Sequence, residues 1–201
     1  MLITVTGGSG SGKSEYAEAL AVKLAGDCES APAGRDLSSR EGGSSSLVYL
    51  ATMPVLGEEG RQRVRRHRAL RSGKGFLTIE RTKDLSSIPG ELLRGNTVLL
   101  EDMSNLIAGE MFQEGKIFPE EEVCLRVRAG LEYVAGQTEN LVSVMNEGYS
   151  DGRHFDAGTE SFIRAAGTLS REWAKRADEA CELVYGSPGF VKKQEDPADI
   201  I

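Results

Sequence analysis

The run Gly7-Gly8-Ser9-Gly10-Ser11-Gly12-Lys13-Ser14 stands between a short apolar stretch and a helical pattern, and that placement leaves few architectures open. Gly7, Gly12, Lys13 and Ser14 meet the spacing G-x-x-x-x-G-K-S. A strand is expected to end at Thr6, and Tyr16, Ala17, Leu20 and Leu24 recur at helical spacing beyond the loop. Glycines in such a turn let several backbone N–H groups converge on one concavity, and the following helix adds the positive end of its dipole. Lys13 is expected to reach the β- and γ-phosphates of a nucleoside triphosphate, and Ser14 to offer its hydroxyl to Mg2+. The loop alone does not separate a kinase from a GTPase switch or a motor ATPase.

The remaining pattern places the loop in an α/β fold. Apolar, β-branched runs recur at Leu2–Thr6, Leu47–Ala51, Phe76–Glu80, Thr97–Glu101, Leu141–Met145 and Leu183–Tyr185. Helices are predicted over Ser14–Ala25, Glu58–Leu70, Ser104–Phe112, Pro119–Val134 and Thr159–Ala177, with Pro119 in a first-turn position. Val98-Leu99-Leu100 is apolar without alternation, as in strands covered on both faces of a mainly parallel sheet. The expectation is a P-loop NTPase-type sheet with helices on both faces, in one domain over residues 1–191. Asp27–Ser46 holds six serines, three glycines and a proline, and reads as a disordered insertion; residues 192–201 read as a flexible tail.

Composition narrows the class further. A net charge of −7 argues against a general nucleic-acid binder. No stretch approaches a membrane span or a signal peptide, and three scattered cysteines fit a reducing cytoplasm, so a cytoplasmic protein is expected.

Two further groups carry chemistry. At the end of the fourth run Glu101 and Asp102 follow Leu100, where a carboxylate in such sheets can hold Mg2+ beside the phosphate loop. Arg61, Arg63, Arg65, Arg66, Arg68, Arg71 and Lys74 surround His67, and Arg63, His67 and Arg71 share one helical face. Neighbouring cations favour a neutral imidazole, which is a competent nucleophile towards phosphorus. A solvated basic helix fits the same spacing. His154, in a polar stretch, reads as a surface histidine.

With these residues in view, the chain resembles the bifunctional adenosylcobinamide kinase / adenosylcobinamide-phosphate guanylyltransferase family of cobalamin biosynthesis. The resemblance rests on V-T-G-G-S-G-S-G-K-S-E-Y-A-E at Val5–Glu18, Y-L-A-T-M at Tyr49–Met53, R-V-R-R-H-R-A-L-R at Arg63–Arg71, L-T-I-E at Leu77–Glu80, L-L-E at Leu99–Glu101, N-E at Asn146–Glu147 and A-D-E at Ala177–Glu179. It implies that Gly7–Ser14 binds phosphate, that His67 is transiently guanylylated, and that Ala51, Thr52, Met53, Arg68, Ala69, Leu70, Arg71, Glu80 and Glu101 contact nucleotide. It further implies GTP and ATP as substrates with Mg2+, adenosylcobinamide as acceptor, and a homo-oligomer, a trimer in the family. Asp102 stands where the family pattern often has a cysteine, and Arg66-His67 where it often has two histidines. Two alternatives remain open from the residues themselves: a plain P-loop small-molecule kinase, in which His67 has no covalent role, and a regulatory nucleotide-binding switch, which would lack the usual N-K-x-D guanine motif.

Overall fold

The computed structural model describes residues 1–29, 47–54, 74–147 and 155–193, with only the backbone of 27–29. Strands β1 (Leu2–Gly7), β2 (Leu47–Ala51), β3 (Phe76–Glu80), β4 (Thr97–Glu101), β7 (Asn140–Asn146), β8 (Glu179–Val184) and β9 (Ser187–Lys192) form one sheet in the order β3-β2-β4-β7-β1-β8-β9. All neighbours pair parallel except β9, which runs antiparallel to β8 at the edge. A second, two-stranded sheet pairs β5 (Phe112–Gln113) with β6 (Lys116–Ile117). This is the expected P-loop NTPase-type architecture.

Strand side chains alternate between two cores. Leu2, Val48, Leu50, Val98, Leu100, Leu141 and Met145 point to one, where they meet α2 (Met103–Met111), α3 (Glu120–Gln137) and α4 (Ala157–Arg176). Ile3, Val5, Leu47, Tyr49, Leu99, Val142 and Val144 point to the other, against Ala17, Ala21 and Ala25 of α1 (Lys13–Glu29). Burial on both faces explains why the central strands read as continuous apolar runs. Each fully buried aliphatic side chain contributes roughly 1.5–3 kcal/mol. Exposed pairs between helices, such as Arg128–Glu172 at 2.7 Å and Arg164–Glu120 at 3.0 Å, contribute at most about 1 kcal/mol each, so packing rather than charge seats α3 and α4.

Helix starts follow their capping residues. Asp102 caps α2 by accepting from Asn105 N at 2.7 Å, and Asp156 caps α4 by accepting from Gly158 N and Thr159 N at 3.0 and 3.1 Å. Pro119 is the N-cap of α3 rather than a first-turn residue, and Glu120, Glu121 and Glu122 supply the negative charge that a helix start favours. Further details depart from the sequence expectation. Helix α1 continues through Gly26 to Glu29, into the segment expected to be an insertion from residue 27. Lys192 belongs to β9 rather than to the tail, and its Nζ donates to Lys175 O at 2.9 Å near the end of α4. The expected strand at Leu183–Tyr185 is longer and starts at Glu179.

Candidate nucleotide site at the strand ends

Because the central strands are parallel, their C-terminal ends share one edge of the sheet. Register fixes who meets whom there: Ala51 lies between Glu80 and Glu101, and Gly7 lies between Asn146 and Leu183. The phosphate loop leaves β1 at this edge. Gly7, Gly10 and Gly12 have φ of 154°, 75° and 89°, a region where a side chain is strained, and α1 begins immediately after Gly12. The backbone N–H of Ser11 bonds Gly8 O at 3.2 Å, which closes the turn.

Lys13 and Ser14 open α1 and face the carboxylates after β4. The Lys13 ammonium donates to Gly8 O at 3.0 Å, so the side chain folds back over the loop that its charge is meant to serve. Burial pulls the Lys13 pKa below its ordinary value, while Asp102 and Glu101 oppose that shift. Ser14 Oγ donates to Glu101 Oε1, and the Tyr49 hydroxyl donates to Glu101 Oε2 at 3.0 Å. Ser11 Oγ is buried inside the loop with no hydrogen-bond partner, a donor or acceptor that an incoming oxygen could satisfy.

Asp102 is only 7% exposed, and burial pushes its carboxyl up to about 6. The nearby Glu101 charge adds to the rise, whereas the N–H groups of Asn105 and Ser104 and the Lys13 ammonium oppose it. Its second oxygen accepts from Asn146 Nδ2 at 3.0 Å. Thr52, fully buried, ties the two turns together: its N–H bonds Glu101 O at 3.1 Å and its hydroxyl bonds Asp102 O at 2.7 Å.

Ser14 and Glu101 form an oxygen donor set suited to Mg2+, which is usually held by one or two protein oxygens together with phosphates and water. Among the described residues no cluster of three or more His, Cys, Asp or Glu side chains could hold a metal by itself. The edge thus brings Gly7–Ser14, Ala51–Met53, Glu80, Glu101 and Asp102 together. His67, Arg68, Ala69, Leu70 and Arg71, the predicted helix Glu58–Leu70, and His154 lie outside the described residues. Of the basic cluster only Lys74 is described; its Nζ pairs with the buried Glu18 of α1 at 2.6 Å. Tyr49 and Asn146 were not singled out individually from sequence. They fall inside the Y-L-A-T-M and N-E motifs, but their bonds to Glu101 and Asp102 depend on strand register.

A family model described as cobinamide kinase / cobinamide phosphate guanyltransferase matches residues 3–190. The bifunctional adenosylcobalamin biosynthesis protein CobU of Escherichia coli (strain K12) is 32% identical over 116 residues, 57% of this chain and 52% of that relative. The match therefore spans about half the length of that relative. A solved ATPase domain aligns with 98% of this chain and 78% of its own, at 11% identity and a TM-score of 0.51, a likeness of fold. No helix among the described residues is long and apolar enough to cross a membrane.

Proposed function

Since the chain belongs to the cobinamide kinase / cobinamide phosphate guanyltransferase family, we propose that it phosphorylates adenosylcobinamide and then converts adenosylcobinamide-phosphate and GTP to adenosylcobinamide-GDP through a guanylylated His67. The observation that carries the nucleotide chemistry is the Ser14–Glu101 contact beside Lys13, which puts a hydroxyl, a carboxylate and an ammonium at the mouth of the phosphate loop.

In the kinase step the loop N–H groups hold the triphosphate of ATP or GTP, and Lys13 exchanges Gly8 O for phosphate oxygens. Ser14 and Glu101 are the residues that would hold Mg2+, which supplies charge neutralisation on the phosphates when bound. The corrinoid's aminopropanol hydroxyl attacks the γ-phosphorus, the bond to the β-γ bridging oxygen breaks, and the nucleoside diphosphate leaves with the hydroxyl proton passing to solvent or a base. In the transfer step a neutral His67 nitrogen attacks the α-phosphorus of GTP and pyrophosphate departs. A phosphate oxygen of adenosylcobinamide-phosphate then displaces the histidine from that phosphorus. Arg68 and Arg71 are suited to hold the phosphates by charge-assisted hydrogen bonds. Ala51–Met53 and Glu80 line the same edge and complete the nucleotide contacts.

The same reading includes a trimer in the cytoplasm. Exposed Leu125 and Ile117 offer apolar surface for self-association, and the two described cysteines, Cys124 and Cys181, are free and buried.

The test is product analysis by mass spectrometry after incubating the protein with adenosylcobinamide, Mg2+ and either ATP or GTP. The reading expects adenosylcobinamide-phosphate, and adenosylcobinamide-GDP whenever GTP is present. Lys13→Ala is expected to remove both products. Phosphate product alone at saturating GTP would leave a plain kinase, and no corrinoid product would overturn the reading.

A further inference from the structure

Strands β8 and β9 pair Val184 with Ser187, which leaves Tyr185 and Gly186 as a two-residue hairpin loop. Their φ values are 48° and 79°. Positive φ at both positions is the pattern of a type I′ turn, whose first position favours Asn, Asp or Gly. A tyrosine there is held in the left-handed region without the local side-chain hydrogen bond that Asn or Asp can offer. No packing explains the choice, because Tyr185 is 99% exposed. The comparable turn between β5 and β6, Glu114-Gly115, has φ of 51° and 75° and places a charged residue at the same position.

The turn is also fixed in place. Gly186 N donates to Ser11 O at 2.8 Å, so the hairpin tip is bonded to the backbone of the phosphate loop. A Cβ built on Gly12 would lie 3.5 Å from Gly186 Cα, which puts the two backbones in contact. An exposed aromatic ring is therefore rooted one residue from the point where the hairpin meets the loop.

We propose that Tyr185 is a stacking platform for the purine base of the nucleotide whose phosphates lie in the Gly7–Ser14 loop. The proposal rests on the phosphate-loop reading given above. A base is tethered to its phosphates through one ribose, a span similar to a tyrosine side chain, so a ring rooted at the loop falls beside the base. Stacking is tolerant of base identity, since every base has a π-face. The platform accordingly serves ATP and GTP alike.

The experiment compares binding of ATP, of the α,β-methylene analogue of GTP, which cannot give up GMP, and of inorganic tripolyphosphate, by calorimetry with Mg2+, to the full chain and to Tyr185→Phe and Tyr185→Asn. Asparagine suits the turn, so Tyr185→Asn is expected to melt no lower than wild type. Its affinity for both nucleotides should fall by about 10-fold. Tripolyphosphate affinity should be unchanged, and Tyr185→Phe should bind nucleotides like wild type. Nucleotide affinity of Tyr185→Asn within about twofold of wild type would overturn the platform, the smallest stacking loss being near fivefold. An equal loss for tripolyphosphate would also overturn it, by showing that the hairpin acts through the shape of the loop. Wild type binding neither nucleotide nor tripolyphosphate would sink the phosphate-loop reading, and the platform with it.

Discussion

Ser14 and Glu101 are 87 residues apart in the chain, and the Ser14 hydroxyl donates to the Glu101 carboxylate across the C-terminal edge of the sheet. That contact joins the first turn of α1 to the end of β4. It exists because β1, β7 and β4 are adjacent and parallel, which brings the loop after β1 alongside the end of β4. Tyr49 on the neighbouring strand holds the other Glu101 oxygen at 3.0 Å.

Removing the Tyr49 hydroxyl isolates that second contact. Tyr49→Phe keeps the edge-to-face ring packing on Phe76, whose centroid lies 6.3 Å away. It leaves Glu101 Oε2 without this donor, so urea unfolding should show a loss of about 1 kcal/mol. The Mg2+ concentration for half-maximal kinase rate should rise several-fold, since Glu101 would be less firmly aimed. An unchanged Mg2+ dependence would detach Tyr49 from the site.

Gly7 is expected to tolerate no side chain. Its φ is 154°, and a Cβ would sit 2.7 Å from both Leu183 O and Ser11 Oγ. Gly7→Ala should therefore lose about 2 kcal/mol or more of stability and most nucleotide affinity. Gly26 is the control: it lies within α1 and a Cβ there would meet nothing within 4 Å. Gly26→Ala should be neutral or gain about 0.5–1 kcal/mol, with affinity unchanged. Equal destabilisation by the two substitutions, read by thermal denaturation, would contradict this geometry.

The Asp102 carboxyl gives a pH signature in the protein free of nucleotide and metal. Its folded pKa, about 6, lies above the ordinary 3.8, so between those values the folded state binds more protons than the unfolded state. Stability from this group is thus present at the low end of the window and lost as pH rises to about 6. A shift of about two units corresponds to roughly 3 kcal/mol. Asp102→Asn keeps a good N-cap for α2, and the Asn146 amide can turn to present its oxygen. The variant should gain on wild type by up to that amount from pH 4 to 6.5 in denaturant titrations. Parallel stability curves across that range would show that the buried carboxyl is not the cause.

Much of this arrangement could be read from the chain, and the parts that could not have physical reasons. The ranges of β2 and β4 agree with the apolar runs because these central strands have no solvent face to interrupt them, whereas β3, a half-exposed edge strand, is legible from its aromatic and β-branched residues Phe76, Thr78 and Ile79. Strand β9 was missed: Ser187-Pro188-Gly189 reads as a turn, yet an edge strand tolerates proline and every β9 residue is exposed. The start of β8 carries little strand signal in the sequence because Glu179, Ala180 and Glu182 are weak strand formers, although Ala180 and Cys181 are buried here by their neighbours. Strands β5 and β6 are two residues each, too short for any period. At the site, the phosphate loop and Glu101 follow from local spacing. The bonds from Tyr49 and Asn146 do not, because they depend on strand order and register. Tyr185 gave no signal beyond ending an apolar run.

The proposed transfer of GMP from GTP to the corrinoid through His67 stands or falls on intact-mass measurement after incubation with GTP and Mg2+. Wild type should gain the mass of one GMP moiety, in a linkage stable to alkali and labile to acid, as expected of a phosphoramidate. His67→Ala should gain nothing and form no adenosylcobinamide-GDP, while still phosphorylating adenosylcobinamide. No adduct on wild type, or GMP transfer by His67→Ala, would contradict it and reduce the basic segment to a phosphate-binding surface.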